Sequence, residues 1–241
     1  MSQGAARQAI WIGGLLVVLA LAAQLLLPPA AAAFLTRVLR DEVGAEGQVR
    51  VRVESVPAVE LLVGQVDRLQ VDAQQVRLGE LAVETLLLDV RGLQVDLLRT
   101  FRGEFAARRP GTARARLVLT EEALNEYLWT HLDTSQLFRI HISPSVVTLE
   151  GSLFGEVLPV RVEGELLVAD AAHLRFQPRR VSVREAQLPE AILRVVGQEL
   201  LFPVGVEDLP LPIGLDGLTL ADGWLVATGS SEALTEGAPG R

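Results

Sequence analysis

From Gln48 to Leu220 the chain repeatedly alternates apolar and polar residues with a period of two. Val49, Val51 and Val53 fall on one side of such a stretch, and Arg50, Arg52 and Glu54 on the other. Successive side chains of a β-strand point to opposite faces, so this period marks a strand with one buried face. The pattern returns at Leu69, Val71 and Ala73, at Leu81, Val83, Thr85 and Leu87, and at Leu93 and Val95. It continues at Ala113, Ala115, Leu117 and Leu119, and at Val160, Val162, Gly164, Leu166 and Val168. Leu174 with Phe176, Val181 with Val183, and Leu218 with Leu220 complete the series. Strands of this kind belong to antiparallel sheet. Leu61-Leu62-Val63 and Leu86-Leu87-Leu88 add strand sequence that is apolar on adjacent positions.

Helical spacing is confined to short stretches. Thr120 is placed to cap a helix carrying Leu124, Tyr127 and Leu128 on one side, with Glu121 and Glu122 in its first turn. A second helix is expected from Pro189 to Leu201, stopped by Pro203. Pro210 and Pro212 predict an extended loop rather than a central strand. The fold class is therefore strand-rich α+β, with long antiparallel strands and a few short helices against the sheet. One domain is expected over 47–229, followed by a frayed Gly-, Glu- and Ala-rich tail at 230–241.

Ahead of the domain, no charged residue separates Arg7 from Arg37, and Ile10 to Leu27 is almost continuously apolar. A helix needs roughly 20 such residues to cross a bilayer. A short flank at 1–8 is thus followed by a membrane segment at 9–29. Three readings compete for it: an uncleaved signal anchor, a signal peptide cut near Ala31-Ala32-Ala33, and a buried core helix. The run exceeds the usual signal-peptide core of roughly 7–15 residues, which favours the anchor. Phe34, Leu35, Val38 and Leu39 then recur at helical spacing in an amphipathic helix expected at 30–46. The basic flanks, Arg7 before and Arg37 and Arg40 after, do not by themselves place the domain outside the cell.

Composition closes several chemistries. The 241 residues contain no Lys and no Cys. That excludes a phosphate-loop lysine, a Schiff base, a thiolate nucleophile and a cysteine metal site. A formal net charge of -8 argues against a nucleic-acid partner. His131, His141 and His173 form no metal-ligand spacing, and Asp170 with His173 reads as a solvated turn. No cofactor, metal or catalytic residue is expected, and the chain does not read as an enzyme. One stretch reverses the sign of the protein: Arg99, Arg102, Arg108, Arg109, Arg114 and Arg116 stand with Glu104 alone among acids. It reads either as a solvated loop and strand face or as a contact for anionic headgroups. Apolar strand surface also exceeds what two short helices cover, so an acyl chain or ordinary packing must fill the difference.

The order of phrases resembles the LmeA-like family of bacterial envelope phospholipid-binding proteins. The phrases are Pro57 to Gly64, the alternating Val66 to Ala73, Leu119 to Leu128, Val206 to Pro212 and Asp222 to Val226. The resemblance implies an exported, membrane-associated, single-pass protein with its large domain on the extracytoplasmic side. It implies a phospholipid partner and a fold similar to tubular lipid-binding proteins, a long curved antiparallel sheet wrapped around a few helices. On that expectation Leu124 and Leu128 form one wall of an acyl groove, with Val160, Val162, Leu166, Leu174 and Phe176 as sheet surface. Arg108, Arg109, Arg114 and Arg116 would hold a headgroup phosphate. The alternative is a membrane-tethered structural module that binds another envelope protein and no lipid.

Overall fold

The alternating stretches become strands that sort into two antiparallel sheets. A computed structural model describes residues 21–38, 40, 47–102, 104–153, 158–183, 186–187, 200–209 and 211–236. The first sheet contains β1 (Val49–Glu54), β2 (Gln65–Leu78), β3 (Leu81–Val95), β4 (Ala107–Arg109) and β5 (Thr112–Thr120), with β12 (Gly214–Ala221) and β13 (Trp224–Ser230). Its order is β1-β2-β3-β5-β13-β12, with β4 against the end of β3. The second contains β6 (Phe138–Ser143), β7 (Val146–Leu153), β8 (Leu158–Val168), β9 (His173–Val183), β10 (Ala186–Gln187) and β11 (Leu200–Pro203). Its order is β10-β9-β8-β7-β6, with β11 against β9. The chain crosses between sheets through α3 (Glu121–Tyr127) and returns to the first for its last two strands.

The first sheet curls into a half-barrel, and its longest strands show how. Along β2 the buried residues are Val66, then Leu69, Val71 and Ala73, then Val76 and Leu78. Along β3 they are Leu81 and Val83, then Leu86, Leu88 and Val90, then Leu93 and Val95. The inward phase therefore slips by one residue at two places, and both strands slip together. Ala73 stays opposite Leu86 and Val76 opposite Val83; Val66 stays opposite Leu93 and Leu69 opposite Val90. Gln75 (φ 53) and Gly92 (φ 67) occupy these places in the left-handed region, the conformation that bends and twists a strand. The expectation that Thr85 and Leu87 share the inward face of Leu81 and Val83 is corrected by this slip. Leu86 and Leu88 point inward, and Leu87 is exposed.

Two further expectations change. Ala58–Val63 is a 3-10 helix, not a strand; Pro57 fixes its entry and removes a ladder donor. Leu200 and Leu201, the end of the expected Pro189–Leu201 helix, lie in β11, opposite Phe176 and Arg175. The rest of that expected helix lies outside the described residues. At the C-terminus, β13 runs to Ser230 and a helical turn follows at Ala233–Glu236.

Leu21–Val38 is one helix, α1, long and apolar enough to cross a membrane. It continues past the expected boundary at 29 without a break. Its halves differ. Leu35 and Val38 are buried in the core, with Leu27, Ala31, Ala32 and Phe34 packed against it, a stripe at helical spacing. Leu21, Leu25 and Leu26 are exposed. Residues 1–20, which hold most of the expected membrane segment, lie outside the described residues.

The α3 region closes the edge of the second sheet. Thr120 caps α3 as expected, its hydroxyl accepting from Ala123 N at 3.2 Å. The outward backbone groups of the edge strand β6 are then met by side chains from this region. Asn125 donates to Ile140 O at 2.9 Å and accepts from Ile140 N at 2.7 Å. Glu121 accepts from Ile142 N at 2.9 Å, Trp129 donates to Phe138 O at 2.6 Å, and Asp133 accepts from Phe138 N at 2.7 Å. An edge that would otherwise template another strand is thereby covered.

Candidate functional site

Three elements meet at the end of the first sheet where β2 begins and β3 ends. The 3-10 helix stops on Gly64, whose φ of 81° is the left-handed form. Gly64 O accepts from Val95 N at 2.7 Å, and a Cβ at Gly64 would sit 2.2 Å from Val95 O. Only glycine allows this close approach. On the neighbouring strand, Asp96 caps α2 (Leu97–Thr100), accepting from Leu98 N at 3.1 Å and Arg99 N at 3.4 Å. The third element is α1. Its Gln24 donates to Ser55 O at 3.2 Å and accepts from Ala58 N at 2.8 Å. Its Phe34 ring meets Phe101, just after α2, with centroids 5.3 Å apart.

Between them lies an apolar pocket of about 370 Å³. Leu27, Ala31, Phe34 and Leu35 form one wall; Leu61, Leu62 and Val66 form the second; Val95, Leu97 and Phe101 form the third. No charged residue among the described ones lines it. Thr100 supplies the polar side chain, and its hydroxyl is already donated to Asp96 O at 2.9 Å. The volume lies at the low end of the roughly 300–1,000 Å³ typical of small-ligand sites. With no polar group free inside, such a pocket selects hydrocarbon.

The surface around the mouth is equally apolar. Leu21, Leu25, Leu26, Val56, Leu62, Val63, Leu98 and Phe101 are each at least 64% exposed, whereas no other large apolar side chain among the described residues exceeds 47%. Basic groups stand beside it. Arg108 pairs with Asp96 at 3.1 Å and Arg99 with Glu104 at 3.4 Å. The Arg108 hydrogen bond, aided by the capped backbone N–H groups and opposed by burial, holds the Asp96 carboxyl below the usual range. Arg102 and Arg109 form no ion pair among the described residues.

A family model described as LmeA-like phospholipid-binding matches residues 22–230, nearly the whole chain. The chain belongs to the LmeA-like family. No curated protein and no solved structure matches it. In this LmeA-like chain the matched region begins inside α1, so the family match includes the docked helix as well as both sheets. The family supports lipid binding, and the two antiparallel sheets give the β-rich fold.

The structure distributes the residues expected to hold lipid differently. Leu124, Leu128, Val160, Val162, Leu166, Leu174 and Phe176 are all buried in the core. Leu124, Leu166 and Phe176 come together with Leu200 and Phe202 around a void of about 10 Å³, room for one water at most. The expected headgroup arginines separate into pairs. Arg108 and Arg109, on β4, stand beside the pocket mouth, opposite the end of β3. Arg114 and Arg116 lie on the wet face of β5, in a groove of about 660 Å³ shared with Arg50, Arg52, Asp72, Asp216 and Glu232. That face is turned away from the one carrying Leu117 and Leu119 into the core. The histidines remain apart, each beside an acid: His131 with Glu80, His141 with Glu121 and His173 with Asp170. Asp170 also accepts from Ala172 N and His173 N, which is the expected turn.

The pocket itself was not expected from the sequence. Leu61-Leu62-Val63 between Pro57 and Gly64, and Asp96-Leu97-Leu98 followed by Phe101, were its available signals. Each is a short apolar run bracketed by residues that stop a strand, and so has no sheet to enter.

Proposed function

We propose that this protein is a membrane-anchored, non-catalytic phospholipid-binding protein of a bacterial cell envelope, with its domain on the extracytoplasmic side. The observation that carries the site is the uncharged pocket between α1, the 3-10 helix and α2. An acyl segment enters it and gains about 0.8 kcal/mol for each methylene taken from water. The pocket is small, so the rest of the lipid stays outside, with its phosphate at the mouth. The basic segment from Arg99 to Arg109 beside the mouth offers guanidinium groups for that phosphate, which they grip in paired hydrogen bonds. The pocket side chains move no proton and form no bond to the lipid; they exclude water and hold a shape. This supports binding, and transfer or presentation follows if the lipid leaves by the same mouth.

The test is to fill the pocket. Ala31→Trp places an indole in the space between Leu61 and Val95 without adding charge. Phospholipid retained by the purified full chain, measured by extraction and mass spectrometry, is expected to fall severalfold while thermal stability holds. Unchanged lipid content would remove the pocket from the proposal. A second reading, a tethered module for another envelope protein, draws on the mixed-charge groove around Arg114 and Arg116. It gains ground if Arg114→Ala with Arg116→Ala abolishes function in cells while lipid content stays intact.

A further inference from the structure

The apolar residues around the pocket mouth do more than frame it. They lie on three separate elements, α1, the 3-10 helix and the segment at α2, and all face solvent strongly. Leu25, Leu26, Leu62, Val63, Leu98 and Phe101 gain nothing in water from this arrangement, and an exposed patch of this kind marks an interaction surface. The chain itself says what covers it. The sequence running into α1, from Ile10 onward, is apolar enough to enter a bilayer, and Leu21, Leu25 and Leu26 continue that character into the described helix. Gln24 ties this turn of α1 to Ser55 and Ala58 at the base of the 3-10 helix. Phe34 and Phe101 join α1 to the α2 segment. The patch is therefore held at the level where the membrane helix emerges. Arg99, Arg102, Arg108 and Arg109 cluster in the same segment, the position that basic side chains take at an anionic interface. Among the described residues, Glu54, Glu60, Asp67, Asp96 and Glu104 are the acids of this end; Glu54 lies opposite Arg68, Asp96 and Glu104 are paired with arginine, and Asp67 accepts from Val56 N.

We propose that this end of the domain is a bilayer-docking face, which seats in the interface of the same membrane that α1 enters and opens the pocket mouth directly to the acyl region. The proposal rests on the phospholipid-binding reading and adds the route: cargo moves between bilayer and pocket without crossing water. Phe101, Leu98, Leu62 and Val63 are the inserting residues.

Because the chain has no cysteine, a single introduced thiol labels one place. The full chain carrying Val63→Cys, Leu98→Cys or Glu80→Cys, each with an environment-sensitive fluorophore, is reconstituted in vesicles of equal parts phosphatidylcholine and phosphatidylglycerol. Val63 and Leu98 are exposed and stand outside the pocket lining, whereas Glu80 lies at the β2–β3 turn, about 45 Å along β2 from the pocket. Phospholipids with nitroxide-labelled acyl chains are expected to quench most emission at 63 and 98, and none at 80. Emission at 63 and 98 as resistant as that at 80 would overturn the docking face. Phospholipid still bound to the same protein after exchange into detergent and washing reports the pocket separately. Retained lipid with unquenched rim labels leaves the carrier and removes the docking, while quenched rim labels without retained lipid support the docking and remove the carrier.

Discussion

Asn125 is the only asparagine in the chain, it is buried, and its side chain acts as a missing strand. It donates to Glu121 O and to Ile140 O, both at 2.9 Å, and accepts from Ile140 N at 2.7 Å. Asn125→Leu keeps the volume but leaves the Ile140 N–H and C=O without partners inside the fold. Each such group costs about 1–3 kcal/mol, so the variant loses roughly 2–6 kcal/mol. A loss of about 4 kcal/mol lowers Tm by roughly 8–16 °C at this chain length. Against a total stability of about 5–15 kcal/mol, that is a large share. Near-ultraviolet circular dichroism follows the transition, with urea midpoints giving the free energy. Glu122→Ala, on the exposed side of the same helix, serves as the control and stays within about 0.5 kcal/mol. A change that small in Asn125→Leu would refute the assignment of the side chain as the edge partner of β6.

Two glycines in the left-handed region separate conformational strain from collision. Gly223 (φ +77) has open space around an added Cβ, whereas Gly64 has Val95 O at 2.2 Å. Gly223→Ala is expected to cost about 1 kcal/mol and Gly64→Ala more than about 2 kcal/mol, measured by urea unfolding, with only the latter losing bound phospholipid. Asp89 is held below the ordinary carboxylate range first by its hydrogen bond from Arg68, then by Gln70 and the nearby Arg91, against the opposing effect of burial. Its contribution is present above the unfolded carboxylate pKa of about 3.9 and disappears as pH falls through the lower folded value. Asp89→Asn should therefore flatten the acid limb of the stability profile, seen as a smaller drop in the urea midpoint between neutral and acid pH. A chain beginning at Thr36 loses Leu27, Ala31, Phe34 and Leu35 from the pocket wall, and is expected to retain little phospholipid even where it stays folded.

Where one face of a strand is buried throughout, the sequence was readable. Ala113 to Leu119 and Val160 to Leu166 alternate without a slip of face, and all their expected inward residues are buried. The slips at Gln75 and Gly92 were not readable, because a run such as Leu86-Leu87-Leu88 satisfies either phase. The Thr120 cap was legible because its chemistry is local. The pocket was not, because it needs Phe34 beside Phe101 and Gly64 beside Val95, contacts that only the folded chain supplies. Lipid binding was legible from phrases spread along the chain, but the expected lining traced the best-patterned strands. Those strands pattern well because one face is buried: Leu174 and Phe176 lie in the core, opposite Phe202 and Leu200 of β11.

The most direct test is to map where lipid sits. The full chain is reconstituted with a phospholipid carrying a photoactivatable acyl chain, irradiated, digested and sequenced by mass spectrometry. Cargo in the pocket between α1, the 3-10 helix and α2 yields adducts on Leu61, Leu62 and Val66 and on Val95, Leu97 and Phe101. Adducts confined to Leu124, Leu128, Leu166 and Phe176 would contradict that site and place the acyl chain between the sheets.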